Sequence, residues 1–340
     1  MSPASRNEGS GSRDWRPSAS IEALRQRAAL TRQIRRFFEA RGVLEVETPL
    51  LSYATATDIH VHSLPVSVAE RRCFLQTSPE YAMKRLLAAD VGPIFQICKA
   101  FRDDDTGTWH AVEFTMLEWY RPGFDHLRLL EETRALLRLL LPAKPVLVHK
   151  YRGLFGKTVG IDPWLASDGE LRDRCIARAR MNHETTRSLS RSDCLDLLFS
   201  VCSQPTLTHG IHFVCDYPVC QAALARISPN GEHAERFEVF IDGIEIANAY
   251  HELAEEGEQR ARMLTDVTER HRRGLIGVPV DELLLSALGA GLGDVAGIAL
   301  GLDRLLAIAA GTGSIAPIMA FEDETRSAHA SYRLGHDTDT

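Results

Sequence analysis

One stretch restricts the fold more than any other, namely ERFEVFIDGIEIANAYHEL at residues 235–253. Two runs rich in β-branched and aromatic residues flank Asp242-Gly243, a dipeptide that favours a tight turn between antiparallel strands. Glu238, Glu245 and Glu252 recur every seven residues within these apolar runs. A hairpin predicts that Glu238 and Glu245 lie across from each other. They then either offer hard oxygen ligands to Mg²⁺ or form salt bridges at a strand edge.

A second antiparallel hairpin is predicted from the strands PIFQICKAFR and EFTMLEWYRP, which an acidic loop containing Gly107 joins. Helical periodicity precedes it twice, from Ser20 to Gly42 and in SPEYAMKRLLAAD, where Ser78-Pro79-Glu80 opens the helix. Residues 142–200 have a less regular pattern, and no second core is evident there.

Composition excludes several classes of protein. The 340 residues carry 39 basic and 46 acidic side chains, a net charge of -7, so no bulk attraction to phosphate backbones or anionic lipid is expected. Asp294, Asp303 and Arg304 interrupt the longest apolar stretch, which argues against a membrane span. Seven cysteines without a framework spacing fit a reducing cytoplasm. Residues 1–19 and 323–340 are polar and are predicted to be tails outside one domain at 20–322.

Two local patterns invite other interpretations. His209, His212, Cys215 and Cys220 suggest zinc, but their segment alternates like a strand, which points neighbouring side chains to opposite faces. The glycine cluster at residues 289–294 lacks the strand, turn and helix of a dinucleotide-binding unit. An ordinary core strand and an ordinary turn are the simpler predictions.

Taken in order, five segments resemble class II aminoacyl-tRNA synthetases, and the lysyl type in particular. FFEARGVLEVETPLL, FRDDDTGTWHAVEFTMLEWY and GIALGLDR look like motifs 1, 2 and 3 of that family. TSPEYAMKRLL and GIEIANAYHEL look like its lysyl pocket. The resemblance spans roughly residues 20–322. It implies an α+β fold, the class II catalytic core, with an antiparallel six-stranded sheet flanked by helices. It also implies a homodimer formed through the motif 1 segment at residues 20–50.

The resemblance also implies amino-acid adenylation, with ATP and Mg²⁺ as cofactors. Arg102 would grip the α-phosphate, Phe114 would stack on adenine, His110 would face the outer phosphates and Arg304 would cover the nucleotide. The implied catalytic set is Arg102, Glu238, Glu245 and Arg304, with the two glutamates as metal ligands. The implied nucleotide contacts are Arg102, Asp103, Asp104, His110, Ala111, Phe114, Glu245, Ile246, Gly301 and Arg304.

A lysine-like diamine would explain the surplus of acidic residues, because a buried cation requires paired carboxylates. By resemblance, the substrate contacts are Ser78, Pro79, Glu80, Glu118, Tyr120, Asn248, Glu252 and Ala299. Four positions depart from the family pattern. Asp104 stands where glutamate is usual, and Ala111-Val112 where Asn-Pro is frequent, so the nucleotide contacts of that loop stay open. Ala299 stands where lysyl-tRNA synthetases typically have glycine.

Only about 20 residues precede motif 1, which leaves no room for an anticodon-binding domain. A lysyl-type core of this size is similar to the elongation factor P lysine ligases, a subgroup of paralogues that attach β-lysine to a lysine side chain of elongation factor P. The implied partners are therefore elongation factor P and a second copy of the chain in a homodimer. Binding to tRNA or to a membrane is not expected. The alternatives are a truncated lysyl-tRNA synthetase and a non-catalytic amino-acid sensor. The presence of the phosphate-binding and metal-binding side chains argues against the sensor. The excess of acidic over basic residues argues against tRNA binding.

Overall fold

The computed structural model describes residues 16–103 and 107–321 of the chain. Their eleven strands form one large sheet and one small sheet. The strands are β1 (Leu44–Glu45), β2 (Leu51–Ser52), β3 (Pro65–Val68), β4 (Arg71–Leu75), β5 (Ile94–Phe101), β6 (Glu113–Pro122), β7 (Val146–Lys150), β8 (Ile211–Tyr217), β9 (Ala234–Ile241), β10 (Ile244–His251) and β11 (Val295–Gly301).

The helices of the described residues pack around the large sheet. They are α1 (Ile21–Glu39), α2 (Glu80–Ala88), α3 (His126–Leu140), α4 (Tyr151–Val159), α5 (Asp168–Ala179), α6 (His183–Arg187), α7 (Arg191–Leu198), α8 (Glu256–Arg272), α9 (Glu282–Gly291) and α10 (Leu302–Ala309). The start of α1 is as predicted, because the Ser20 side chain accepts a hydrogen bond from the Ala23 amide at 3.1 Å. None of these helices is long and apolar enough to cross a membrane.

The large sheet has eight strands in the order β1-β5-β6-β11-β10-β9-β8-β7, so the prediction of six was wrong in number. The six central strands, β5 to β8 in this order, are antiparallel as predicted. Each edge gains one parallel strand, β1 beside β5 and β7 beside β8. β1 has only two residues, and β7 lies in the segment without clear periodicity, so neither had a strong local signal.

The hairpin of β9 and β10 turns at Asp242-Gly243, where φ is +51° and +84°. These positive values are those of a tight hairpin turn. Glu238 does not lie across from Glu245, contrary to the sequence prediction. Glu245 pairs with Phe240, because the turn at Asp242-Gly243 sets Ile244 opposite Ile241. Glu238 pairs with Asn248, because the register shifts by one residue between Glu245 and Ala247. Without that irregularity, Glu245 and Asn248 would point to opposite faces.

One face of the large sheet carries the main core. Phe38 of α1 stacks on Phe95 of β5 at 4.6 Å between ring centroids and also contacts Trp119 of β6. α3 and α10 contribute Leu136 and Leu305 to the same buried cluster. This face is closed by helices, so the opposite face of the same strands is the one left for a binding site.

Residues 142–200 form β7 and α4 to α7, with a second core of their own. Tyr151 stacks on Phe155 and on Phe199, with centroids 5.5 Å and 5.2 Å apart. This buried cluster also contains Val214 and Phe240 of the large sheet. The expectation of an irregular segment without a core was therefore wrong. The sequence did not show this core, because the helices are short and their apolar positions are scattered over several elements.

The chain ends of the described part meet. Ser18 donates its amide hydrogen to the Ala320 carbonyl at 3.0 Å. Residues 1–15 and 322–340 lie outside the described residues, so the predicted tails and the domain limits stay predictions.

Candidate active site

A cavity of about 1080 Å³ lies on the sheet face opposite the main core. It is lined by most of the side chains that the sequence assigned to nucleotide and substrate. The lining includes Ser78, Pro79, Glu80, Arg102, His110, Ala111, Phe114, Glu238, Glu245, Ile246, Asn248, Ala299, Gly301 and Arg304. Asp103 is not part of the lining and donates its amide hydrogen to the His62 carbonyl. Asp104 lies outside the described residues.

Strand pairing sets the floor of this cavity. Gln96, Glu118, Ala299, Asn248 and Glu238 are successive partners across β5, β6, β11, β10 and β9. Paired residues of adjacent strands point to the same face, so these side chains form one row across the sheet. The row brings together residues that lie up to 203 positions apart in the chain, counting from Gln96 to Ala299.

A second row of residues lies beside the first on the same face of the sheet. It consists of Tyr120, Gly297, Tyr250 and Arg236. Gly297 is required for close packing, because a Cβ atom there would lie 2.2 Å from Tyr120 Cε1 and 2.5 Å from Glu252 Oε1. Because Gly297 has no side chain, the Tyr120 ring and the Glu252 carboxylate can both occupy the space beside it, beneath the cavity.

Two arginines lie at one end of the cavity. The Arg102 guanidinium carbon is 5.4 Å from the Phe114 ring centroid, and its buried Nε has no hydrogen-bond partner among the described residues. Arg304 donates from Nε to the Trp109 carbonyl at 2.9 Å and from Nη1 to the Glu245 carbonyl at 2.8 Å. These arrangements suit an aromatic ring with anionic groups beside it.

Asp303 holds the start of α10 in place, a role that the sequence did not reveal. Its carboxylate pairs with Arg27 of α1 at 2.6 Å and accepts a hydrogen bond from the Thr115 amide of β6 at 2.6 Å. Because Arg304 follows directly in the helix, these contacts fix the backbone from which its guanidinium extends.

Glu238 and Glu245 present two carboxylates to the same cavity. Burial raises the pKa of Glu238 to about 7, Arg236 opposes this, and the charge of Glu245 adds to it. Glu238 Oε2 also accepts a hydrogen bond from the Tyr217 hydroxyl at 2.6 Å. Two neighbouring carboxylates that repel each other fit a divalent cation, since Mg²⁺ uses one or two carboxylates together with phosphate oxygens.

Arg236 organises this end of the floor and was missed from the sequence. It forms an ion pair with Glu238, donates to Asn248 Oδ1 at 3.0 Å and donates to the Gln221 carbonyl at 2.7 Å. Its guanidinium lies 4.3 Å from the Tyr217 ring centroid. The available signal was its position two residues before Glu238 in a strand, which places both side chains on one face.

Lys84 is another residue that the sequence did not reveal. Its buried ammonium lies 2.6 Å from Glu80 Oε1 and 2.6 Å from Glu252 Oε2. Two of the three acids assigned to a diamine, Glu80 and Glu252, are therefore already paired with a cation within the protein. The signal for Lys84 was its i,i+4 spacing from Glu80 on α2.

Glu118 is the acid with an unused oxygen. Its Oε1 accepts a hydrogen bond from Tyr120 at 2.6 Å, whereas its buried Oε2 has no hydrogen-bond partner in the described part of the chain. Burial, with the charge of Glu80, raises the pKa of Glu118 to about 8. Glu118, Tyr120 and Glu252 lie just beneath the cavity wall and are at most 2% exposed. An ammonium group reaching this floor would stabilise the ionised form of Glu118.

Comparison with known proteins identifies the family of the chain. A family model of class II tRNA synthetases (D, K and N) matches residues 11–325. The chain therefore belongs to the class II tRNA synthetase family, and its large antiparallel sheet is the sheet expected of that family.

Within that family, three relatives share one name, elongation factor P–(R)-β-lysine ligase. The relative from Salmonella paratyphi B is 44% identical over 315 residues, which cover 90% of this chain and 97% of the relative. Those from Salmonella dublin and Salmonella heidelberg are also 44% identical, over 320 residues, with the same coverage of both chains. The chain groups with these ligases, as the resemblance in its sequence predicted.

Replacing Glu118 with Gln tests the protonation of the floor. The folded protein retains a proton on Glu118 up to about pH 8, whereas the unfolded chain loses it near its ordinary value of 4.5. The free energy of unfolding of the wild type therefore falls as pH rises through this window. In Glu118→Gln we expect a smaller fall between pH 5 and 8, by at least about 1 kcal/mol, which corresponds to less than one unit of pKa shift.

Urea denaturation at several pH values measures the difference. The matched control is Glu113→Gln, since Glu113 lies on the same strand with 53% of its side chain exposed. Parallel pH profiles for the wild type and Glu118→Gln would contradict the raised pKa.

Proposed function

We propose that the protein is an ATP-dependent ligase that activates a lysine-type diamino acid, (R)-β-lysine or lysine, and joins it to a lysine side chain of elongation factor P. The observation that carries this proposal is one cavity that combines two arginines at one end with a buried acidic floor at the other. The names of the relatives support the choice of β-lysine and of elongation factor P.

The first step we propose is adenylation. A carboxylate oxygen of the amino acid attacks the α-phosphorus of ATP, a new O–P bond forms, and the bond to the pyrophosphate oxygen breaks. Arg102 and Arg304 are suited to the negative charge that develops on the phosphoryl oxygens, because fixed donors need no reorganisation during the reaction. Phe114, beside Arg102, offers a face for the adenine ring. His110 and Gly301 line the same end of the cavity.

Magnesium bound with the nucleotide supplies further charge neutralisation at the phosphates. Glu238 and Glu245 would hold the magnesium ion, because both line this end of the cavity and the charge of Glu245 raises the pKa of Glu238. Arg236 and Tyr217 keep Glu238 in position through their direct contacts with its carboxylate.

The floor at the amino-acid end of the cavity carries more carboxylates than the ammonium group of Lys84 can pair. Lys84 provides one ammonium for Glu80, Glu118 and Glu252. A bound side-chain ammonium would take the free oxygen of Glu118 as its partner, which satisfies both the cation and the buried carboxylate. Asn248, with its side chain held by Arg236 and Tyr250, lies two strands from Glu118 in the same row.

The second proposed step is transfer. The uncharged amine of the acceptor lysine attacks the carbonyl carbon of the mixed anhydride, an amide bond forms, and the bond to the phosphate oxygen breaks, so that AMP leaves. The attacking nitrogen loses its proton to solvent or to AMP. The adenylate already activates the carbonyl, so this scheme assigns no further general base.

Mass analysis of elongation factor P tests the whole proposal. After incubation with the protein, ATP and either (R)-β-lysine or lysine, we expect elongation factor P to gain the mass of one aminoacyl group, more rapidly with (R)-β-lysine. Unmodified elongation factor P together with aminoacylated tRNA in a parallel reaction would favour a tRNA synthetase instead. Absence of amino-acid-dependent pyrophosphate exchange with both isomers would favour a sensor.

We also propose a homodimer formed through residues 20–50 and their neighbours, and a cytoplasmic location. Leu44, Leu50 and Tyr53 are exposed by 53%, 40% and 62% in this part of the surface, which gives an apolar patch for an isologous interface. All seven cysteines are free thiols, which supports a reducing compartment.

Sedimentation tests the dimer. We expect the wild type to sediment as a dimer at micromolar concentration and Leu51→Glu to sediment as a monomer, because the new charge would be buried in the interface. Leu147→Glu is the matched control, since Leu51 and Leu147 are exposed by 39% and 40% and Leu147 lies on the distant strand β7. A monomeric wild type would contradict the interface.

Glu245→Gln tests the metal ligands. The change removes a charge but little volume, so we expect the fold to survive and amino-acid-dependent ATP–pyrophosphate exchange to fall by about 10²-fold or more, the usual effect of losing one electrostatic group. Glu258→Gln is the control, because Glu258 lines the same cavity but pairs with Arg262. Exchange at the wild-type rate in Glu245→Gln would remove Glu245 from the metal site.

Ala299→Gly tests the choice between the two lysine isomers. Ala299 lies between Glu118 and Asn248 in the floor, so its methyl group restricts the space beside the amino acid. We expect glycine to improve kcat/KM for lysine relative to (R)-β-lysine by about tenfold to two-hundredfold, the range for one methyl group in a pocket.

The control for this experiment is Ala296→Gly, on the same strand but in the core face. An unchanged isomer ratio in Ala299→Gly would mean that alanine at position 299 serves only the packing of a half-buried strand.

A further inference from the structure

Three metal-ligating side chains meet on the sheet face opposite the cavity. Glu235 and His251 are the neighbours of Arg236 and Tyr250 in β9 and β10, and strand alternation turns them away from the cavity. His126, the first residue of α3, approaches them from that side. One ligand atom from each of the three residues lies within 4.8 Å of the others, and no other such group occurs within residues 16–103 and 107–321.

His126 is buried without a hydrogen bond that would explain its burial. Its side chain is 7% exposed, and neither ring nitrogen has a hydrogen-bond partner among the described residues. The closest charged atom is Asp216 Oδ1, at 3.4 Å from Nε2. A buried polar group left without a partner costs about 1–3 kcal/mol, so a ligand for the imidazole would recover that loss.

His251 has the geometry of a metal ligand with an outer carboxylate. Its Nε2 lies 2.7 Å from Asp294 Oδ1, and its Nδ1 lies 2.5 Å from Glu235 Oε2. Asp294 is itself paired with Arg226 at 2.9 Å, which keeps it ionised as an acceptor. If Nε2 donates its hydrogen to Asp294, the lone pair of Nδ1 points towards Glu235, and metal-bound histidines usually donate their second N–H to a carboxylate in this way.

We propose that His126, Glu235 and His251 bind a zinc-class divalent ion. Two imidazoles and one carboxylate suit zinc or cobalt, whereas magnesium prefers oxygen ligands alone. Binding displaces the proton shared between His251 and Glu235, and water completes the coordination. No electron transfer is involved.

The site joins the start of α3 to the ends of β9 and β10. It is separate from the cavity and does not depend on the proposed ligase activity. His251 directly precedes Glu252, whose carboxylate pairs with Lys84 beneath the cavity. The ion would therefore fix the strand end from which that carboxylate extends.

Cobalt titration of the full-length protein after treatment with a chelator tests the site. We expect one Co²⁺ per chain, with the visible absorption of a tetrahedral complex, and a higher melting temperature with Zn²⁺ than without it. His126→Gln should abolish the cobalt spectrum. Asp294→Asn, which alters only the outer carboxylate, should weaken binding by about tenfold to a hundredfold.

Two controls make the result specific. His149→Gln is matched to His126→Gln, because His149 belongs to a histidine pair with His212 at 3.0 Å that is not part of the site. Glu245→Gln removes a carboxylate of the cavity, so binding that persists there is separate from the nucleotide end. Both variants should bind cobalt as the wild type does.

Absence of saturable cobalt binding by the wild type would overturn the proposal and leave His251 as a hydrogen-bonded bridge between Glu235 and Asp294. Cobalt binding that His126→Gln and Asp294→Asn leave unchanged would overturn it as well, provided both variants have the wild-type circular dichroism spectrum.

Discussion

The register of the central strands is the constraint on which the site depends. A slip of one residue in a strand would turn its side chains from one face to the other. Glu118, Ala299, Asn248 and Glu238 would then no longer share a floor. The register is itself fixed by the core, because the alternate residues of the same strands pack beneath α1, α3 and α10. Core packing and site assembly are therefore two consequences of one pairing pattern.

Charge is distributed unequally along this floor. At the proposed nucleotide end, Arg102 lies beside the Phe114 ring, and Arg304 donates hydrogen bonds to two backbone carbonyls. At the other end, Glu80 and Glu252 share the buried ammonium group of Lys84. Arginine guanidinium groups are suited to phosphate, and an acid without a full cation partner is suited to an ammonium group. This polarity gives the substrates one orientation within the cavity.

The sequence contained the local features of this arrangement but not its long-range contacts. The Asp242-Gly243 hairpin, the capped helix at Ser20 and the glutamates of the hairpin all had short-range signals. The shift between Glu245 and Ala247 had none, because nothing in the local pattern requires an extra residue there. Lys84 and Arg236 were missed because each also has a partner far away in the chain, Glu252 for Lys84 and Asn248 for Arg236, and such contacts are set by tertiary packing. The edge strands β1 and β7 were missed for the same reason, since pairing with β5 and β8 defines them.

The most direct test of this account is a crystal structure of the full chain with a non-hydrolysable analogue of the aminoacyl-adenylate. The account predicts the side-chain ammonium within hydrogen-bonding distance of Glu118 Oε2, the adenine on Phe114 and the phosphate between Arg102 and Arg304. An ammonium group bound away from Glu118, or an analogue in the opposite orientation, would contradict it.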